Sequence, residues 1–400
     1  MSNLFWLRLY RHPCIFTSSF RGVSLKFLSG SYSGESIMSS KSTFRLAVRV
    51  DASSAIGTGH VFRCLALTDE MRRMGSEIVY VCAEAPGHLR DLLIDKGYRV
   101  HVIAPDLSLE SDAAAMRSVL ALDGPFDWLL VDHYKLNADW ERAAAGIASR
   151  IAAIDDLADR HHDVDLLIDS SHDASQAGLY ENLVPLDAQL ALGSEYVLLR
   201  REFFETPPPE RDFGAVRRIL VTLGGNDPVN ATGLTLEALD DPAFSSVQID
   251  LTLGVSNPRL EAHMSKARAM ANVTVHVQSP RMAELMAKAD ICLGAGGMTS
   301  WERCYMGLPS LILVIADNQR EFAAKMEKMG CARSLGWSEK ISKADLRSAI
   351  LEAIRDTAWR EKTSRTGQSR VDGQGVFRII DRLQNPCVQG KTPEAMFPCP

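Results

Sequence analysis

His60 stands in an SAIGTGH segment that follows an apolar run, FRLAVRVD, ending in Asp51. Gly57 and Gly59 let the backbone turn tightly and approach a phosphate or a sugar, and the start of the helix that follows favours an anion. Imidazole groups ordinarily titrate near neutrality, which suits a residue at a helix mouth to proton transfer. A histidine satisfied by local backbone would have the same sequence context. The spacing is not a dinucleotide fingerprint, because Phe62 occupies the place where G-x-G-x-x-G has its third glycine.

Three further segments carry candidate chemistry. In VTLGGNDPVNAT (221–232) a strand runs into Gly224–Gly225 and Asn226, the form of an anion-holding nest, or simply a βα turn capped by Asn226 and Asp227. In LGAGGMTSWERCYMGLPSLILVIADNQ (293–319) a strand opens into Ala295, Gly296 and Gly297, and Thr299 and Ser300 then begin a helix carrying Glu302. Free N–H groups there can cradle a diphosphate, and a carboxylate one turn in can bind a ribose diol. The next strand ends in Asp317, Asn318 and Gln319. The plain alternatives are a solvated helix face for Glu302 and a helix cap for Asn318. DHYKL puts Tyr134 at another strand end, able to pack on a sugar or merely structural. The stretch Asp155, Asp156, Asp159, His161, His162, Asp163 lacks an i, i+4 histidine pair, so no metal site is expected.

These segments sit in a strand–helix alternation that runs from Arg45 to about residue 384 and implies doubly wound parallel sheets. The Pro-rich, charged ETPPPERDFG breaks the series, so the expected layout is a Rossmann-like domain over 44–204, a linker over 205–216 and a second such domain over 217–384. Two domains of this kind bind ligands in the cleft between them, outside the carboxyl ends of the strands. Residues 1–43 carry Arg8, Arg11, Arg21, Lys26 and Lys41 against one acid, Glu35; they read as an extension outside the fold, either a transit-type peptide or sequence upstream of a start at Met38. Residues 385–400 read as a loose tail. The formal charge of −6 gives no basic field for nucleic acid or an anionic membrane. No segment reaches the ~20 apolar residues of a membrane span. Eight scattered cysteines without a CxxC pair read as free thiols in a reducing, cytoplasmic compartment.

Taken in order, RVDASSAIGTGHVFRCLAL, LLVDHYKL, AIDDLADRHH, LGSEYVLLRREF, ILVTLGGND and LGAGGMTSWERCYMGLPSLILVIADNQ resemble the UDP-sugar hydrolases of pseudaminic acid biosynthesis, over roughly residues 45–380. The resemblance implies a GT-B architecture: two Rossmann-like domains and an interdomain cleft, related to an inverting glycosyltransferase. It implies a substrate, UDP-2,4-diacetamido-2,4,6-trideoxy-β-L-altropyranose, whose sugar serves surface polysaccharide or flagellin glycosylation. Water would attack the anomeric carbon with inversion and expel UDP, with no cofactor, no metal, and no nucleic-acid or stable membrane partner; a monomer is favoured. It makes His60 the general base, with Tyr134 and Asn318 beside the sugar or water. The substrate and UDP contacts would be Asp51, Gly57, Gly59, Gly225, Asn226, Ala295, Gly296, Gly297, Thr299, Ser300, Glu302 and Gln319. One departure is the pair Ser170–Ser171, where the family usually has Gln–Asn. A glycosyltransferase using the same cleft, a UDP-sugar 2-epimerase and a non-catalytic nucleotide-sugar-binding module are the alternatives.

Overall fold

Apolar, β-branched runs bounded by glycine-rich turns form two all-parallel sheets in the computed structural model, which describes residues 43–53 and 56–386. The expected extension and tail lie outside the described residues, apart from residues 43, 385 and 386. The first sheet contains β1 (Arg45–Val50), β2 (Glu77–Ala83), β3 (Arg99–Ile103), β4 (Phe126–Asp132), β5 (Ala148–Ile154), β6 (Leu166–Asp169) and β7 (Gln189–Leu192), in the order β3-β2-β1-β4-β5-β6-β7. The second contains β8 (Arg218–Thr222), β9 (Gln248–Leu253), β10 (Val273–Val277), β11 (Ile291–Ala295), β12 (Ser310–Val314) and β13 (Arg333–Trp337), in the order β10-β9-β8-β11-β12-β13. Parallel sheets are covered by helices on both faces, so their central strands are largely apolar and buried. Every residue of β11 and β12 is buried, and so are the last five of β1.

Strand order reverses between β1 and β4 in one sheet and between β8 and β11 in the other. Loops leaving the two strands at such a point diverge to opposite faces and open a crevice at their carboxyl ends. The His60 turn leaves β1 and the DHY segment leaves β4. The GGND and GAGG turns leave β8 and β11. Topology therefore collects the four motifs at two facing crevices.

The sequence groups residues up to 384 with the second series, but the helix Gly375–Gln384 crosses back. Val376, Ile379, Ile380 and Leu383, one i, i+3, i+4, i+7 stripe, lie in the same core as Leu46, Val48 and Leu65. At about 1.5–3 kcal/mol per buried aliphatic side chain, this stripe gives the crossing a driving force of several kcal/mol. Trp128 Nε1 donates to the Leu383 carbonyl at 2.8 Å, and Arg382 donates to the Tyr196 hydroxyl at 2.6 Å. The five described cysteines are free and buried. No helix among the described residues is long and apolar enough to cross a membrane.

Candidate active site

The turn before His60 is closed by Ser53 and Gly57, which exchange backbone hydrogen bonds at 3.3 and 2.9 Å. Gly57 has φ +81°, a conformation that L side chains rarely adopt. The helix Gly59–Arg73 starts there, with His60 buried on its inner face. His60 Nδ1 lies 2.6 Å from Asp132 Oδ1 at the end of β4. Arg63, one turn further and so on the same face, forks the same carboxylate through Nε (2.5 Å) and Nη2 (2.6 Å). Its Nη1 holds Asp156 at 2.9 Å.

Asp132 is fully buried. Burial alone would push its carboxyl up, but the Arg63 guanidinium and His60 hold it well below the usual carboxylate range. An ionised Asp132 so close requires the proton of the neutral imidazole on Nδ1. The 3.2 Å approach of Arg63 Nη2 to that nitrogen is then a contact between two protonated atoms, not a hydrogen bond. Nε2 is left with its lone pair, the form a base needs.

Tyr134 packs edge-on against His60, with ring centroids 4.5 Å apart and an interplanar angle of 81°. Its hydroxyl, pushed up to about 12 chiefly by burial and then by the charge of Asp156, stays neutral. From the other sheet, Asn318 Nδ2 reaches that hydroxyl at 3.4 Å. His60, Tyr134 and Asn318, 258 residues apart in sequence at the extremes, thus meet where the two sets of strand ends face each other.

Asp51 has a different position from that of a substrate ligand. Arg49 grips both its oxygens (2.5 and 3.0 Å), the Ala83 N–H donates to it at 2.6 Å, and His133 Nε2 stands 3.3 Å away. Burial would raise its pKa, but His133 and Arg49 hold it well below the usual range. It braces the ends of β1, β2 and β4. Arg49 also holds buried Asp112, which accepts from Trp140 Nε1 at 2.8 Å.

On the second sheet, Asn226 Oδ1 accepts from Ser256 Oγ at 2.6 Å, and Asn226 Nδ2 reaches the Ser53 carbonyl of the opposite lobe at 3.4 Å. Gly225 faces Thr58 closely enough that a Cβ there would sit 3.6 Å from its hydroxyl. Gly296 N–H donates to Gln319 Oε1 at 3.2 Å, as does Ile315 N–H at 3.3 Å, so Gln319 ties the two turns together. Ser300 is buried and accepts from Arg303 Nη2 at 2.7 Å; Thr299 accepts from Arg303 Nη1 at 3.5 Å. Ser300, Gln319 and Asp51 each make hydrogen bonds within the protein that hold the turns around the site in place. Arg303 lies beneath the turn, against Gly294, where any Cβ would collide with its guanidinium. It bonds neutral groups, among them the Ala295 carbonyl at 3.0 Å and the Cys292 thiol; its Nε has no partner, and no ion pair is formed with a carboxylate among the described residues.

Glu302 is not solvated. Arg200, in a segment whose Leu199 and Phe203 pack in the same core as Trp301, holds both its oxygens, at 2.7 and 3.0 Å. A carboxylate has roughly four acceptor positions, so about two remain for other donors. The Asp/His-rich stretch is taken up internally: Asp155 by Arg160, Asp156 by Arg63, His162 by Glu141. No group of three or more His, Cys, Asp or Glu side chains among the described residues is arranged to hold a metal ion. The Ser170–Ser171 loop is met by the second lobe, where Lys325 donates to the Ser171 carbonyl and to Gln176.

The sequence reading gave no role to Asp132 or Asp156 and did not single out Arg63, Arg200 or Arg303. Arg63 carried a legible signal, since i, i+3 from His60 shares its helix face. The partners of these residues lie across long sequence separations, and only the fold reveals them.

Comparison with known proteins agrees with this layout. Residues 239–374 match the glycosyltransferase family 28 C-terminal domain. Over 85% of this chain and 99% of the other, the structure superposes on MurG from Acinetobacter baumannii with a TM-score of 0.59 at 15% identity. The fold is GT-B. A UDP-GlcNAc 2-epimerase from Neisseria meningitidis, solved with UDP-GlcNAc, gives a TM-score of 0.58 at 15% identity over 86% of this chain and 100% of that one. In sequence, the GT-B chain is 25% identical over 289 residues to a UDP-2,4-diacetamido-2,4,6-trideoxy-beta-L-altropyranose hydrolase from Campylobacter jejuni, covering 72% of this chain and 97% of the relative.

Proposed function

We propose that the chain hydrolyses a UDP-linked 2,4-diacetamido-2,4,6-trideoxyhexose at its anomeric C–O bond, with inversion, in nonulosonic acid biosynthesis. The observation that carries this reading is the buried Asp132–His60 pair, with Arg63 behind it and Tyr134 and Asn318 in front. His60 Nε2 takes a proton from water as the water oxygen bonds to the anomeric carbon. The bond from that carbon to the UDP oxygen breaks, and UDP leaves with the electron pair. Proton removal of this kind contributes roughly 10²–10⁴-fold. Asp132 keeps the imidazole in its working tautomer and offsets the charge of the imidazolium as it forms.

UDP is a good leaving group, so stabilising its diphosphate supplies much of the remaining assistance. The Gly296–Gly297 turn and the uncompensated Arg303 charge beneath it support an anion there. A buried cation without a counter-ion is costly, and a diphosphate would offset it. Glu302, oriented by Arg200, has acceptor positions left for a ribose diol.

The test is incubation with the UDP-sugar alone in ¹⁸O water. The expected products are UDP and a free sugar labelled at the anomeric hydroxyl. Label in UDP would mean attack at phosphorus, and a strict need for an acceptor would make the chain a glycosyltransferase. His60→Asn should abolish turnover and leave UDP binding nearly intact.

A further inference from the structure

One buried carboxylate oxygen at this site has no part in the chemistry so far. Asp156 stands two residues past the end of β5, which lies beside β4 in the sheet, and this brings it next to Asp132 and Tyr134. Its Oδ2 accepts from Arg63 Nη1 at 2.9 Å. Its Oδ1 is shut off from solvent and has no hydrogen-bond partner. Buried polar atoms are as a rule paired, so an exception at a candidate site asks for an explanation. Arg63 spends three of its five N–H groups on Asp132 and Asp156 Oδ2, and neither of the other two reaches Oδ1. The charge of Asp156 is also felt at Tyr134, second only to burial, so the carboxylate lies near the phenol that meets Asn318.

We propose that Asp156 is a specificity residue whose Oδ1 accepts a hydrogen bond from an N–H or O–H group of the sugar, close to the carbon that His60 serves. The inference rests on the UDP-sugar reading of the cleft and names the chemistry the sugar must carry. An acetamido N–H or a free hydroxyl at that position satisfies the oxygen. A deoxy, ether or N-methylated position leaves it buried and unpaired, and a site built around a buried polar group rejects such analogues. One guanidinium grips both Asp156 and Asp132, so a donor docking on Asp156 also steadies the Arg63–Asp132–His60 chain.

The discriminating variant is Asp156→Asn. It keeps an oxygen for Arg63 and turns an amide N–H toward the sugar, so that donor meets donor. With UDP-2,4-diacetamido-2,4,6-trideoxy-β-L-altropyranose, kcat/KM is expected to fall roughly 10- to 100-fold, mostly through KM. UDP affinity by calorimetry should be unchanged. Among analogues that each lack one donor, the one missing the recognised group should react equally slowly with both proteins. An Asp156→Asn protein as fast as the parent on the full substrate overturns the proposal. A parallel loss of UDP affinity and thermal stability also overturns it, by making Asp156 a structural brace. If the unaltered chain releases no UDP from any UDP-sugar, the functional reading fails before any variant is compared, and this inference falls with it.

Discussion

Asp132→Asn removes one charge from the centre of the site while preserving shape. In the native arrangement one carboxylate oxygen meets His60 Nδ1 and Arg63 Nη2, and the other meets Arg63 Nε and the Cys64 thiol at 3.7 Å. An asparagine has one oxygen for these two places. With its amide nitrogen toward Arg63 Nε, donor faces donor beside a buried guanidinium. With the nitrogen toward His60, the ring must accept at Nδ1, so its proton moves to Nε2 and the lone pair proposed to take water's proton is gone. Both orientations damage the site, and the second abolishes the base. An equivalent tautomer error in serine proteases costs ~10⁴-fold in kcat, and a loss of that order is expected here.

The same change breaks a buried ion pair, which typically costs about 3–5 kcal/mol. A folded protein is worth only about 5–15 kcal/mol in all, so thermal unfolding must be followed alongside rate. The depressed carboxyl pKa gives the pH signature. A carboxyl held low in the folded state contributes stability above its unfolded value of about 3.9, and that contribution is lost as pH falls toward the folded value. The stability gap between the native and Asp132→Asn proteins should therefore shrink as pH falls below about 4. Single-turnover UDP release at pH 7 on folded protein is the decisive assay. A variant that keeps more than about a tenth of the native rate refutes the tautomer argument, as does a rate loss that merely follows the unfolded fraction.

Tyr134→Phe removes a hydroxyl too weakly acidic to act as a base near neutrality, so kcat should fall by about tenfold, the worth of one hydrogen bond, with the shape of the pH–rate profile kept. Glu302→Gln should weaken UDP binding roughly tenfold and reduce the preference for UDP over its 2′-deoxy analogue in calorimetry. An unchanged preference would remove the ribose from Glu302. Arg211, in the linker, donates to the Met286, Ala289 and Met306 carbonyls and is pushed down to about 10 by burial. Arg211→Ala should cost about 1–3 kcal/mol in denaturant unfolding and leave kcat/KM unaltered.

The legible part of this protein is local. Apolar runs separated by glycine turns specify β1, β4, β8, β11 and β12, and the parallel, doubly wound arrangement follows from their alternation with helices. The motifs at those strand ends were readable because a turn's chemistry resides in adjacent residues. The electrostatic framework was not, because charge pairing is a property of the assembled sheet. Asp51 looks like a crevice acid in one dimension, and it becomes a brace because β1 delivers Arg49 to the same side two residues earlier. Glu302 looks like a solvated helix residue until the fold brings Arg200, 102 residues earlier, onto it. The helix Gly375–Gln384 was grouped with the wrong sheet for a related reason. Its amphipathic stripe states that it must be covered, and nothing in the stripe states by what.

His60 shows how the two kinds of information combine. Sequence alone left it between a base and a locally satisfied histidine, and those readings differ in which ring nitrogen is committed. Asp132 takes Nδ1, so the nitrogen left for chemistry is Nε2. Arg63 then matters for a reason beyond packing. By anchoring Asp132 and Asp156 together it leaves the group with one more negative than positive charge while His60 is neutral, and with none in excess once His60 takes a proton. A nucleotide-sugar site could position water without that arrangement. A site that must accept water's proton in a buried, low-dielectric setting needs it. That charge balance, at the junction where Tyr134 meets Asn318, is the strongest physical reason to favour catalysis over passive binding.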